Sequence, residues 1–231
     1  MPIYSYHLVK VPLIVALKGM FVRPIRGGEH GILHAEYMNV MTLGSPIFSP
    51  SRLLVRQVSV FVQWENEAAL EHYLNHNSYG KILAKGWHVR MRFVRQWGKI
   101  KALHIATEDA IDVKENTPVV AVTIARMKPL EVPRFIHWGR PVEKLVRDHP
   151  GTTLALASYN FPNTISTFSI WKSAKEMTDM VHGHSAIPQP KRHSDAMKER
   201  VRKDFHFEFT TLRFVAFAEH GAWKGKNNFV P

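Results

Sequence analysis

Chemistry in this chain has to come largely from histidine, because the sequence holds 14 histidines and no cysteine. The missing thiols exclude disulfides, thiolate metal sites, iron–sulfur clusters and a cysteine nucleophile. His72 and His76 are spaced i, i+4, which sets both rings on one face of a helix. They lack the glutamate of a metalloprotease motif, so surface histidines are the favoured reading. His182 and His184 flank Gly183, a spacing that converges on a metal only in an extended strand. His193 opens the run "HSDAMKERV", whose helical continuation carries Lys198, Arg200 and Arg202. A ring at that place either faces solvent or is held against a neighbouring sheet, and the arginines are either solvated or available to carboxylates. Phe205, Phe207, Phe209, Phe214 and Phe217 line an apolar pocket or pack a core. "RGGEHG", Arg26 to Gly31, is too short for a phosphate-binding loop and reads as a turn. Neither a Ser–His–Asp arrangement with nucleophile-elbow spacing nor a paired carboxylate signature is present.

The totals set the frame for these residues. With 231 residues, 45% of them hydrophobic and 22% charged, the chain is large enough for one big domain or two small ones, and disorder is excluded as its overall state. The formal net charge of +12 invites an acidic partner. The cations concentrate at Lys85–Lys101, where they alternate with apolar residues, and at Lys191–Lys203, where they point around a helix. Solvated faces are the preferred reading, an acidic membrane surface comes next, and nucleic acid is disfavoured because no RNP-like aromatic signature or zinc-finger spacing accompanies the charge. The apolar stretch "VPLIVALKGMFV" is short and broken by Lys18, so no membrane span is expected. The sequence predicts a cytoplasmic protein, with a peripheral place at a membrane left open.

The elements that would position these side chains come in two copies. "QVSVFVQWENEAALEHYL", Gln57 to Leu74, aligns without a gap on "TISTFSIWKSAKEMTDMV", Thr164 to Val181. Ser59/Ser166, Phe61/Phe168 and Trp64/Trp171 coincide, and each stretch switches from strand to helix behind a capping residue, Asn66 or Ser173. The tryptophans plug each joint into the core or stack on a flat ligand. Around the second joint the pattern reads β-α-β-β-α-β, with strands at Thr117–Lys128 and Thr152–Ser158, a helix interrupted by Pro141, and a last aromatic strand. Around the first, "YSYHLVKV" supplies a strand and "HVRMRFVRQWGKI" a closing one, while "ILHAEYMNVMTLG" matches no pattern. Trp97-Gly98-Lys99 and Trp223-Lys224-Gly225 close the halves similarly. The expected architecture is α+β: tandem ferredoxin-like units over 1–101 and 117–231, joined by a linker at 102–116, with antiparallel sheets packed together and helices on the outer faces.

"TFSIWKSAKEM", "RHSDAMKERVRKDFHFEFTTLRF" and "HGAWKG" together resemble the spheroidene monooxygenase family of carotenoid-modifying enzymes. The matching positions are Thr167, Phe168, Ser169, Trp171, His193, Ala196, Glu208, Gly221, Trp223 and Gly225. The likeness covers most of the chain and is stronger over Pro118–Gly225; "HGHSAIPQPK" departs from it. It implies a fused dimeric α+β barrel and a haem-dependent monooxygenase that oxidises a lipophilic substrate with electrons from a redox partner such as ferredoxin. It further implies His193 as axial ligand, with His184 as the runner-up. Arg200 and Arg202 would serve the propionates, and Phe168, Trp171, Phe205, Phe209 and Phe214 the substrate pocket. A non-catalytic haem or apolar-ligand protein of the same fold and a basic interaction module are the alternatives. The substrate and homo-oligomerisation remain open at this level.

Overall fold

The computed structural model describes residues 1–22, 24–46, 49 and 52–231; Arg23, at the head of the first polar loop, lies outside them. The first half runs β1 (Ile3–Lys10), α1 (Leu13–Phe21), β2 (Ile32–Met41), β3 (Leu53–Trp64), α2 (Glu67–His76), α3 (Ser78–Ala84) and β4 (Trp87–Lys99). The second runs β5 (Val119–Met127), α4 (Val132–Asp148), β6 (Thr152–Asn160), β7 (Thr164–Trp171), α5 (Ala174–His182), α6 (Arg192–Arg202) and β8 (His206–His220). All strand pairs are antiparallel, and the eight strands close into one barrel in the order β1-β3-β2-β6-β7-β5-β8-β4. Each half therefore contributes a four-stranded sheet, and the two sheets join edge to edge at β2–β6 and β4–β8. Closure gives each of the eight strands a neighbour on both sides, with β2 and β6 paired over Asn39–Met41 and Ala157–Tyr159. No helix among the described residues is long and apolar enough to cross a membrane.

Both strand-to-helix joints form as the aligned sequences require. Asn66 accepts a hydrogen bond from the Ala69 N–H at 2.9 Å, and Ser173 accepts one from the Glu176 N–H at 3.1 Å, so each helix starts behind a side-chain cap. Trp64 and Trp171 are buried against the helices that follow, and each indole N–H donates at 2.8 Å to a serine, Ser5 or Ser169. The interior of the barrel is filled from both halves. Tyr6 stacks on Phe168 at 3.9 Å between centroids, and Tyr4 meets Phe214 at 4.8 Å. Ile100 and Leu103, from the segment after β4, and Trp223 and Phe229, from the tail after β8, belong to the same cluster.

Three details depart from the sequence pattern. Helix α4 runs unbroken through Pro141, and the groove lined by His137 and Pro141 lies beside the turn that loses a backbone hydrogen bond. The stretch with no readable pattern is β2, which is buried on nearly every residue and so shows no alternation. The ends of the halves are matched by Gly98 and Gly221 rather than by Trp97 and Trp223. Gly98 has φ 72° and lies against the Phe209 carbonyl; Gly221 has φ 76° and lies against the Gly86 carbonyl. Trp97 stays in β4, whereas Trp223 sits in a separate bridge to Lys226 and is buried with the barrel core.

Candidate functional site

The outer sheet faces of the two halves differ, although their backbones correspond. On β3 the outward residues Val58, Val60 and Val62 are fully buried beneath α1, α2 and α3. Their counterparts on β7 are Ile165, Thr167 and Ser169, the first two only half-buried. Strand pairing extends the row: Thr167, Thr123 and Thr211 lie side by side across β7, β5 and β8, with Thr123 and Thr211 hydroxyls 3.2 Å apart. This hydroxyl band separates two apolar clusters. One holds Ala125, Met127 and Phe205 with Phe135 and Trp138 of α4; the other holds Val119, Leu145, Trp171, Met177 and Met180. The first half is sealed with valine, while the second presents small polar groups under a looser cover.

Helix α6 rests on α4 and α5 and reaches the sheet through its side chains. Arg200 lies 3.7 Å over the ring of Phe209 on β8. His193, Met197 and Arg200 are spaced to share one face of this helix. The His193 Nδ1 lies 3.0 Å from the Val181 carbonyl of α5, which makes it the protonated nitrogen. Nε2 is left with no protein partner among the described residues. Burial, with the neighbouring His182 as a smaller cause, lowers the His193 pKa, so the ring is neutral and Nε2 carries a free lone pair. A ring fixed through Nδ1 by a backbone carbonyl and open at Nε2 is the arrangement a metal-ligating histidine requires. Among the described residues no three His, Asp or Glu side chains come together to hold a metal ion.

The remaining expected site residues fall into separate places. Phe205 is buried against Phe135 and stacks under Arg134, and Phe209 lies on the outer face beneath Arg200, so these two border the looser region. Phe168 and Phe214 point the other way, into the barrel, where Tyr6 and Tyr4 cover them. Trp171 belongs to the α5 joint. Arg202 is exposed and held by Glu199 at 2.6 and 2.7 Å, so its guanidinium is already partnered. His184 is exposed after the left-handed turn at Gly183, its ring stacked on His182 at 6.0 Å. Glu208 pairs in register with Arg126, and its carboxylate approaches the Lys101 N–H at 3.4 Å, away from α6. His72 and His76 stack on the exposed side of α2.

The structure adds groups that sequence spacing did not reveal. Arg213, outward on β8, is half-buried; one of its N–H groups donates to Thr178 Oγ1 at 3.3 Å, and its Nε has no partner. Burial, and then the adjacent Arg95, lower its pKa. A groove of about 780 Å³ runs between α4 and the segment before α6, with Ile136, Leu145 and Ile187 at its apolar parts and Arg140, Lys144 and Arg192 supplying charge.

No protein-family model and no curated protein sequence matches the chain. Among solved structures, an aldoxime dehydratase in complex with butyraldoxime aligns with 94% of this chain and 79% of its own, at 8% identity and TM-score 0.54. A second aldoxime dehydratase structure covers 93% and 81%, at 10% identity and TM-score 0.54. A heme-degrading enzyme from Listeria monocytogenes covers 91% and 98% at 12% identity, but its TM-score of 0.29 is too low to build on. At these identities the likeness establishes the α+β barrel fold and nothing finer.

Proposed function

We propose that the protein is a haem-dependent monooxygenase acting on a lipophilic, carotenoid-like molecule, with its site on the outer sheet face of the second half. The single observation that carries the reading is His193: neutral, fixed through Nδ1 by the Val181 carbonyl, and open at Nε2. His193 would hold the iron, and Thr123, Thr167 and Thr211 stand beside the sheet where His7, Val60 and His88 stand in the first half. Haem bound there would supply oxygen activation. The chain's own part is orientation and exclusion of water. The backbone carbonyl of Val181 fixes the imidazole, while Phe135, Trp138, Phe205 and Phe209 provide an apolar border along which a hydrocarbon could lie. Arg200, stacked on Phe209 with its Nε 3.6 Å from the Asp204 carboxylate, would turn its remaining N–H groups to a propionate. The strongly basic surface suits an acidic electron donor such as ferredoxin. The aldoxime dehydratases demonstrate that this fold carries enzymes; their dehydration reaction is not transferred on fold alone.

The test is a haemin titration followed by absorption spectroscopy, then oxygen uptake with a chemical reductant and a polyene substrate. Wild-type protein is expected to develop a Soret band at one haem per chain, His193→Ala to lose it, and His184→Ala to keep it. A band unchanged in His193→Ala removes the assigned ligand. A Soret band without substrate-dependent oxygen uptake reduces the protein to a haem carrier.

A further inference from the structure

The two halves carry the same arginine in opposite electrostatic settings. Ser5 pairs with Val62 on one side and Arg90 on the other; Ala121 pairs with Ser169 and Arg213. Since Val62 and Ser169 are aligned, Arg90 and Arg213 occupy equivalent places on the outer faces. Arg90 is neutralised by the helix above it: Glu67 reaches it at 2.8 Å and Glu71 at 2.7 Å. The aligned positions on α5 are Ala174 and Thr178. Among the described residues Arg213 therefore has no carboxylate partner, and it donates to the Thr178 hydroxyl at 3.3 Å. The neighbouring strand compounds the difference. Arg90 faces Ala218 across β4–β8, whereas Arg213 faces Arg95. Both Arg95 and Arg213 lie over the ring of Trp97, at 4.7 and 5.2 Å, and neither has an ion-pair partner among the described residues.

One half thus encloses a cation with two anions of its own, while the other gathers two cations and no anion. A partly buried guanidinium beside a second one is costly unless an opposite charge joins it. The position lies on the same sheet face as the threonine band, one residue pair away from Thr123 and Thr211. We infer that Arg213 and Arg95 form a subsite for the carboxylate end of a ligand held on this face. The inference rests on the reading that the second half holds the ligand, but not on the identity of the cofactor. Two sources offer that chemistry: a carboxylate at one end of an apolar substrate, or a propionate of haem. Paired Arg forks and the hydroxyls of Thr178 and Thr211 suit a planar, two-oxygen anion.

The experiment borrows its control from the first half. Thr178→Glu restores the carboxylate that Glu71 gives Arg90, and Arg213→Met removes the cation while keeping an apolar stem. Calorimetric titration of the full chain with decanoate, and with decanamide as the uncharged counterpart, measures the subsite directly. Wild type is expected to prefer decanoate, and each variant to weaken it about tenfold or more while leaving decanamide unchanged. Thr178→Glu is also expected to raise the melting temperature, which separates loss of binding from loss of fold. Equal binding of decanoate and decanamide by wild type, or unchanged decanoate binding in Thr178→Glu, overturns the subsite. Haemin and its dimethyl ester then assign the source. Weakened haemin with unaffected ester in Thr178→Glu identifies a propionate, and haemin unaffected while decanoate is lost identifies a substrate carboxylate. Both results support the subsite. A wild type that binds decanoate but no haemin ends the haem reading and leaves the subsite standing.

Discussion

Acidification should unfold this protein through two buried histidines that lie in a row of three. His7, His88 and His220 lie side by side on β1, β4 and β8, their rings stacked at 4.9 and 4.7 Å. His7 is wholly buried and His88 is 4% exposed, while His220 is open to solvent. His7 Nε2 meets the Ser5 hydroxyl at 2.8 Å, but His7 Nδ1 and both nitrogens of His88 have no protein partner among the described residues. Arg90 stands beside the row, held by Glu67 and Glu71. Burial first, then the neighbouring His220 and Arg90, depress His88 to a pKa of about 3, and burial with His88 and Arg90 drives His7 well below its ordinary value. Both rings therefore stay neutral in the folded state when the unfolded chain takes up protons at about 6.5. The stability they permit is intact above that value and is lost as the pH falls from about 6.5 toward 3, because the unfolded state then binds more protons.

The magnitude follows from that difference. Between about pH 7 and pH 5 an unfolded histidine becomes almost fully charged while His88 does not, which costs about 2 kcal/mol, and His7, lowered by burial, acts in the same direction. The carboxylates with lowered pKa, such as Glu36 and Asp204, titrate below this window, while His149, His193 and His206, lowered first by burial, share it in wild type and variant alike. Urea unfolding of wild type and His88→Gln at several pH values isolates the effect. The variant can be less stable at every pH, but its stability should fall by about 2 kcal/mol less across the window. Parallel curves for the two proteins would refute the argument, since they would mean that His88 is protonated alike in both states.

Two further outcomes test how the halves are fastened. Glu143 of α4 accepts two Arg52 N–H groups at 3.3 Å and the Gly44 N–H at 2.8 Å, tying the segment between β2 and β3 to the other half. Glu143→Ala strands a buried guanidinium and should cost about 3–5 kcal/mol in urea unfolding, with Glu143→Leu/Arg52→Met recovering part of it; a double variant no better than the single one contradicts this. A Cβ at Gly98 or Gly221 would lie 2.2 Å from a carbonyl oxygen in a left-handed backbone. Gly98→Ala and Gly221→Ala should each lower stability by about 2 kcal/mol or more, and by matching amounts, as read from melting curves; a marked imbalance contradicts their equivalence.

The two strand-to-helix joints were legible because their signals are local. A cap followed by a helix and an alternating strand can be read from adjacent residues, which is why Asn66, Ser173 and the α+β class follow from the sequence. The closure of the strands into one barrel was legible only through resemblance, because β2–β6 and β4–β8 join residues more than a hundred positions apart. Strand phase was harder. Phe168 and Phe214 look like pocket residues until pairing shows that they face the barrel, opposite to Phe209. The ends of the halves were misjudged for a related reason: tryptophan is conspicuous in a sequence, but the backbone constraint falls on Gly98 and Gly221.

The alignment of the two joints already contained the asymmetry that matters, although it could not be interpreted there. Glu67 opposite Ala174 and Glu71 opposite Thr178 are ordinary surface differences between helices until Arg90 and Arg213 are found beneath them. The outer face shows the same divergence three times. Val60 becomes Thr167, His7 becomes Thr123, and His88 becomes Thr211. The two histidine positions lose bulk in the second half, Val60 is replaced by a hydroxyl of about its own size, and the absence of the two glutamates removes negative charge. Drift alone has no reason to thin the packing and expose an arginine on the same face, since both changes cost stability. A site that admits a large ligand with an anionic end accounts for both at once. The first half keeps the sealed valines and the closed ion pairs of a scaffold.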